Sequence, residues 1–316
     1  MRVASLLPSA TEMVHFAGAG DTLIGVTHEC DYPPGVEDLP RLTSSKIHAG
    51  RMTSAEIDAA IGRILTDGSS IYALDAKLLE DLTPDLLITQ GLCEVCAVSM
   101  DLVERAVAGM ENRPEILSLN PTSLDDVLED AARVGEALGR GNEVHDNVAA
   151  LRERLARVEE TVAGLPRPRV GCIEWLDPLF SAGHWVPEMV RLAGGEEVLA
   201  APGEASARIT WEQVFEAAPE VLVLMPCGFG AERAAREARV LPDLPGWKDL
   251  PAVEDGRVWV VDANSYFSRP APRLVRGVEV LGHILHPEAL PDTPALVEAA
   301  RLSVPDPDAA GSSEVS

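Results

Sequence analysis

Arg2-Val-Ala-Ser-Leu-Leu-Pro-Ser-Ala-Thr-Glu12 is the stretch that decides the fold. Residues 3–7 form a short, mostly apolar run of the length expected for a buried strand. Pro8 interrupts it, and Ser9-Ala-Thr-Glu12 has the spacing of a capping box, which predicts a helix ending near Gly18 and Gly20. Strand, turn and helix in that order form the repeating unit of a parallel sheet wrapped by helices.

The unit recurs downstream. Residues 23–26 predict a second strand, and Thr53-Ser-Ala-Glu56 is another capping box, opening a helix to about Leu65. Residues 86–89 (after Pro84) and 116–119 read as strands, and Ser123 caps a helix to about Leu138. From 143 to 162 there is neither glycine nor proline, which predicts one long helix, ended by Gly164-Leu-Pro-Arg-Pro168. A second alternating set follows: strands at 170–175, 221–225 and 258–261, with helices at 187–192, from 210, at 231–238 and at 273–285. The expected fold class is therefore α/β: two Rossmann-like lobes with parallel sheets, residues 1–140 and 167–302, joined by a single long helix at 141–166. The Pro-, Asp-, Gly- and Ser-rich tail at 303–316 is expected to be disordered.

A chain of 316 residues, 46% hydrophobic, suffices for two such cores. Its formal charge of −25 excludes nucleic acid as a partner and disfavours anionic membrane surfaces. No apolar run approaches the roughly 20 residues of a membrane span. With no basic-plus-apolar leader, the sequence as it stands is expected to be cytoplasmic, or periplasmic or cell-surface if an upstream signal was removed. Five cysteines, an odd number, suit reduced thiols better than a disulfide framework.

Ser5-Leu-Leu-Pro-Ser-Ala-Thr-Glu12, Cys30-Asp-Tyr-Pro-Pro34, Leu82-Thr-Pro-Asp-Leu-Leu-Ile88, Ala193-Gly-Gly195, Pro219-Glu-Val-Leu-Val223 and Ser268-Arg-Pro-Ala-Pro-Arg273 occur in an order and at spacings that carry a resemblance. The chain is similar, over about residues 2–286, to the cobalamin and siderophore class of ABC-importer substrate-binding proteins. The resemblance implies two lobes joined by a rigid helix, a ligand clamped between them, no covalent chemistry, and an ABC permease as partner if the protein is exported. It also implies permease-docking roles for Glu80 and Glu212; a solvated helix residue and a first-turn acid are the plain alternatives. The chain departs from the family where cobalamin binders place aromatic rings: it carries His28-Glu29-Cys30 and Thr89-Gln-Gly-Leu-Cys93 there. Tyr32, Trp175, Trp185, Tyr266 and Phe267 remain as sources of rings.

In open parallel sheets ligands bind beyond the carboxyl ends of the strands. That rule collects Glu29 from the first lobe; Pro8, Tyr32 and Gln90 are further candidate ligand contacts there, and Ser9 could point helix N-terminal amides at an anionic ligand group, ordinary capping being its plainer reading. From the second it collects Trp175, His184, Trp185, Asp262, Tyr266 and Arg269, although Arg269 could instead pair with a carboxylate. It also collects four of the five cysteines, Cys172 lying within a strand. His28, Cys30, Cys93 and Cys96 together would suit tetrahedral zinc; Cys93-x-x-Cys96 could instead be a redox pair, or the thiols could pack as small apolar groups. Neither a Gly-x-Ser-x-Gly elbow nor a phosphate-binding glycine loop occurs, and no convergent catalytic set argues for an enzyme. The expected function is an importer-type protein that binds a corrinoid or related metal chelate and requires no cofactor of its own, with bound corrinoid or zinc as the candidate guests. The alternative is a cytosolic protein that binds zinc or another soft ion through its Cys and His residues.

Overall fold

The computed structural model describes residues 1–67, 69–91, 98–291, 295 and 298–302. Cys93, Cys96 and the 303–316 tail lie outside the described residues. The chain forms two compact units. Unit 1 is Met1–Arg157 together with Arg269–Arg276; unit 2 is Val158–Ser268 with the described residues from Gly277 onward.

In unit 1 the elements run β1 (Val3–Ser5), α1 (Pro8–Phe16), β2 (Leu23–Gly25), β3 (Thr43–Ser45), α2 (Ser54–Thr66), β4 (Tyr72–Leu74), α3 (Ala76–Leu82), β5 (Leu86–Thr89), α4 (Met100–Ala108), β6 (Glu115–Ser118), α5 (Leu124–Ala137) and the start of α6 (Gly141–Val162). The main sheet is parallel in the order β2-β1-β5-β6, with Val3 opposite Leu86 and Ser5 opposite Ile88. Val3, Ala4, Leu86, Leu87 and Ile88 are buried, as strands covered on both faces must be. β3 and β4 form a separate antiparallel pair, which Thr43-Ser-Ser45 does not advertise by any apolar run.

Unit 2 contains β7 (Arg169–Leu176), β8 (Leu179–Ser181), α7 (Val186–Leu192), β9 (Glu196–Glu197), α8 (Trp211–Ala217), β10 (Val221–Leu224), α9 (Ala231–Glu237), α10 (Pro251–Glu254), β11 (Val258–Val261), α11 (Ala263–Tyr266), most of α12 (Leu274–Leu285) and β12 (Ala299–Arg301). The sheet order is β12-β11-β10-β7-β8, with β9 also on β7. Strands β7, β9, β10 and β11 are parallel, whereas β8 and β12 add antiparallel edges. Ile173, Leu222, Leu224, Val258 and Val260 fill one face of this sheet, packed with Trp211 and Trp247.

The long helix exists as expected, but the compact units divide within it, after Arg157. Its stripe Val144, Val148, Leu151, Leu155, Val158 and Val162 is buried, with the alternating spacing of a single helix face. The expected boundaries at 140 and 166 thus differ from the observed division. Residues 269–276, assigned from sequence to the second lobe, pack with unit 1.

Three of the expected helix starts are as read: Thr53 with Glu56, Ser123 with Asp126 and Thr210 with Gln213 cap α2, α5 and α8. The Ser9–Glu12 box is not formed. Leu7 is the extended residue before α1, Pro8 takes the first helical position and no side chain caps the helix. Proline tolerates that position because its missing N–H would have no partner there. Ser9 is buried inside the first turn, and Glu12 is engaged with arginines instead.

The two units repeat one joint. In unit 1, Thr83 is left-handed after α3, Pro84 follows, and Asp85 begins the approach to β5. Asp85 accepts the backbone N–H of Arg2, whose guanidinium donates to the Leu82 carbonyl at 2.7 Å. In unit 2, Ala218 is left-handed after α8 and Pro219 follows. Glu220 accepts the backbone N–H of Arg169, whose guanidinium donates to the Ala217 carbonyl at 2.7 Å.

Candidate functional site

The carboxyl ends of β1, β2 and β5 lie along one edge of the unit 1 sheet, because the strands are parallel neighbours. Past β1, Ser5 is buried and its hydroxyl donates to the Leu7 carbonyl. Thr11 on α1 donates to Ser5 and lies 3.1 Å from the Cys30 sulfur. Burial pushes the Cys30 thiol up, against its hydrogen bond with Thr11, so it is a neutral thiol rather than a thiolate.

Two arginines brace the loop after β2. Arg41 donates to the carbonyls of Thr27 and Cys30 at 2.9 and 3.0 Å. Arg269 donates to the Glu29 carbonyl at 3.1 Å and forks onto the Asp31 carboxylate. Its guanidinium also lies 3.6 Å from Glu12, on a side chain only 10% exposed. Arg273 completes the group: it forks onto Glu12 at 2.6 and 2.7 Å, and its guanidinium carbon sits 4.0 Å from the Tyr32 ring centre. A bidentate fork is the strongest geometry available to this pair. Glu12 is 3% exposed. Burial pushes its carboxyl up, and the hydrogen bond and charge of Arg273, then the charge of Arg269, only partly pull it back.

Arg269 is therefore paired with carboxylates, the second of its two expected readings. Tyr32 remains exposed at 42%. Glu29 is exposed and accepts from the Tyr72 hydroxyl. Pro8 is half-buried at the start of α1, and Gln90 is buried immediately after β5.

His28 has its Nδ1 2.8 Å from the Thr43 hydroxyl and its ring 5.6 Å from that of Tyr72. Burial, then the nearby Arg41, lower its pKa. His28 and Cys30 thus have Thr43 and Thr11 as partners, and Cys93 and Cys96 lie outside the described residues. Among the described residues no group of three or more His, Cys, Asp and Glu side chains could hold a metal ion.

In unit 2, Trp175 on β7 is half-buried, its ring 5.4 Å from Phe229. Trp185 is buried and its indole donates to the Phe267 carbonyl at 2.8 Å, which makes it a core residue. His184 is half-buried in a left-handed conformation beside it. Asp262 caps α11 by accepting from the Ser265 amide at 3.0 Å, and Tyr266 ends that helix, half-buried. Cys172 is buried in β7 and Cys227 is exposed. Glu80 on α3 and Glu212 in the first turn of α8 are both exposed. Backbone and Thr210 hydrogen bonds hold the Glu212 carboxyl below its usual range.

Glu12, Asp31, Arg41, Thr43, Tyr72 and Arg273 organise the unit 1 rim without having been singled out as site residues. The available signal was a lone acid at Glu12 amid Ala10, Met13 and Val14, on a helix whose opposite charge lies far along the chain.

Comparison with known proteins agrees with the fold. A curated vitamin B12-binding protein of Vibrio cholerae is 26% identical over 282 residues, spanning 88% of this chain and 86% of its own. An uncharacterized ABC transporter substrate-binding lipoprotein of Bacillus subtilis is 24% identical over 294 residues, spanning 91% and 80%. A solved periplasmic heme-binding protein from Pseudomonas aeruginosa superimposes with a TM-score of 0.71 at 21% identity, over 96% of this chain and 98% of that one. Residues 3–265 match the family described as periplasmic binding proteins, a family of binders rather than enzymes, and the chain belongs to that family.

Proposed function

We propose that this protein is the extracytoplasmic substrate-binding component of an ABC importer, and that its ligand is a metal chelate of the corrinoid, haem or siderophore type. The observation that carries the proposal is the family match over residues 3–265, together with a B12-binding relative that aligns with 88% of the chain. The periplasmic and lipoprotein descriptions of its relatives favour an address outside the cytoplasm, the second of the two expected from the sequence, over the cytoplasmic one. Ligand recognition would use the ends of the parallel strands, where Tyr32 and Glu29 are exposed in unit 1 and Trp175 and Tyr266 are half-buried in unit 2. Burying an apolar macrocycle against such rings, with a few polar contacts to orient it, is the common design of small-molecule sites. Glu80 and Glu212 would dock the permease.

Cyanocobalamin, hemin and ferrichrome, each titrated against purified protein, test the proposal. A ligand present at about one hundred times its Kd should stabilise the fold by about 2.7 kcal/mol, read as a raised Tm. If none of the three raises Tm or changes its own absorption spectrum, the ligand class is wrong. Glu80→Arg with Glu212→Arg should abolish ligand delivery to a reconstituted permease while leaving ligand affinity intact; unchanged delivery would remove the docking assignment.

A further inference from the structure

We propose that Glu12 is the positioning residue of the unit 1 rim: through Arg269 and Arg273 it fixes both the 29–32 loop and the 269–276 segment. The geometry is a branched relay. One branch runs from Glu12 to Arg269, and from there to the Asp31 carboxylate and the Glu29 carbonyl. The other runs through the Arg273 fork to the face of Tyr32. Three stretches remote in sequence, α1, the loop after β2 and residues 269–276, thus converge on one buried carboxylate.

Packing alone does not account for this choice. A leucine or methionine would fill a buried helix position without the desolvation cost of a charge. A carboxylate contributes something an apolar side chain cannot, namely a fixed direction for two guanidinium groups. Arg269 then presents donors to the Glu29 carbonyl and the Asp31 carboxylate, and Arg273 lays the face of its guanidinium on the Tyr32 ring. Arg41 already holds the first half of that loop at the Thr27 and Cys30 carbonyls; the half that carries the exposed Tyr32 depends on Arg269 and Arg273. Glu12 would act on ligand through these residues, not by touching it.

Hydrogen exchange on the full chain tests the inference. Glu12→Gln keeps the shape of the side chain and removes its charge. Amide exchange in peptides covering 27–33 and 269–276 should rise together, by about tenfold or more, while β1 and β5 stay protected. Unchanged exchange in either peptide, or an equal rise in β1 and β5, would overturn the assignment. Should Glu12→Gln fail to fold, Arg269→Lys carries the test: an ammonium cannot span Glu12, Asp31 and the Glu29 carbonyl at once, so 27–33 should loosen selectively, and unaltered exchange there would refute the relay. A second readout rests on the proposed function. If the wild type binds cyanocobalamin or hemin, Glu12→Gln should weaken that binding about tenfold, and unaltered affinity would count against a role in the rim. If the wild type binds none of the three probes while the exchange result holds, the ligand reading fails and the positioning role stands.

Discussion

Glu12 illustrates why a buried ion pair is better read from its consequences than from its presence. The pair with Arg273 is no evidence of net stability, since desolvating both charges offsets their attraction. Removing one partner is a different matter. Arg273→Met should cost about 3–5 kcal/mol in urea unfolding, because it strands a carboxylate in the unit 1 interior. The cost should depend on pH in a defined sense. Without Arg273, the folded-state pKa of Glu12 rises further above its unfolded value. The variant therefore keeps most of its stability below the unfolded pKa and loses it as pH rises through the folded one. Unfolding at pH 5 and pH 8 should show the larger deficit at pH 8.

A second buried carboxyl, Glu197 in β9, makes the same argument in unit 2. Burial raises its pKa to about 8, opposed by the Cys172 thiol and the backbone amides of Leu199, Cys172 and Val198. The folded state therefore holds a proton that the unfolded chain has released. Its contribution is fully present below about 4.5 and is lost as pH rises to about 8, at a slope near 1.4 kcal/mol per pH unit between the two. Glu197→Gln should flatten that slope, measured as the urea midpoint against pH.

Among elements, the repeated Arg–Pro–acid joint explains why two dissimilar stretches, Leu82-Thr-Pro-Asp85 and Ala217-Ala-Pro-Glu220, do the same work. A short helix must stop, turn and enter a parallel strand, and a left-handed residue before proline does so compactly. The arginine at the start of the neighbouring strand takes a helix-terminal carbonyl, and the acid after the proline takes that arginine's own N–H. Neither Thr83 nor Ala218 is glycine, so both helices end with a conformation that L side chains disfavour. Ala218→Gly should gain up to about 1 kcal/mol, the relief exceeding the entropy that glycine adds to the unfolded chain. Thr53→Ala, by contrast, should lose about 1 kcal/mol by opening the capping box of α2. Thermal unfolding measures both.

The elements were largely legible in the sequence because apolar runs and capping spacings are local signals. β5, β10 and β11 were located to within a residue, and the capping box of α2 and the Ser123 cap of α5 were read directly. The failures were of two kinds. Strands β3, β8 and β12 have three residues each and lack a distinctive pattern, so their pairing is decided by neighbours. The box at Ser9 failed because Glu12 had a stronger partner 261 positions away, which no local spacing encodes. The same blindness left the rim only partly legible: Tyr32, Glu29 and Arg269 stood among the candidate contacts, whereas Glu12, Arg41 and Arg273 did not.

For the whole molecule, the assignment of 269–276 to unit 1 matters most. A chain cut after Arg157 retains β1, β2, β5 and β6 but loses both arginines that face Glu12. It should unfold at lower urea than the same sheet does in the intact protein, and a synthetic peptide spanning 266–278 should restore part of the difference. No change on adding the peptide would show that the sheet holds its rim unaided.

All five tryptophans, at 175, 185, 211, 247 and 259, belong to unit 2, whereas Tyr32 and Tyr72 belong to unit 1 and Tyr266 to unit 2. The protein therefore carries a built-in optical label on one side. Indole emission follows the melting of unit 2 alone, and a denaturation curve recorded only at that wavelength would miss a unit 1 that had already come apart. Recording tyrosine and indole signals side by side would turn that blind spot into a way of timing the two halves separately.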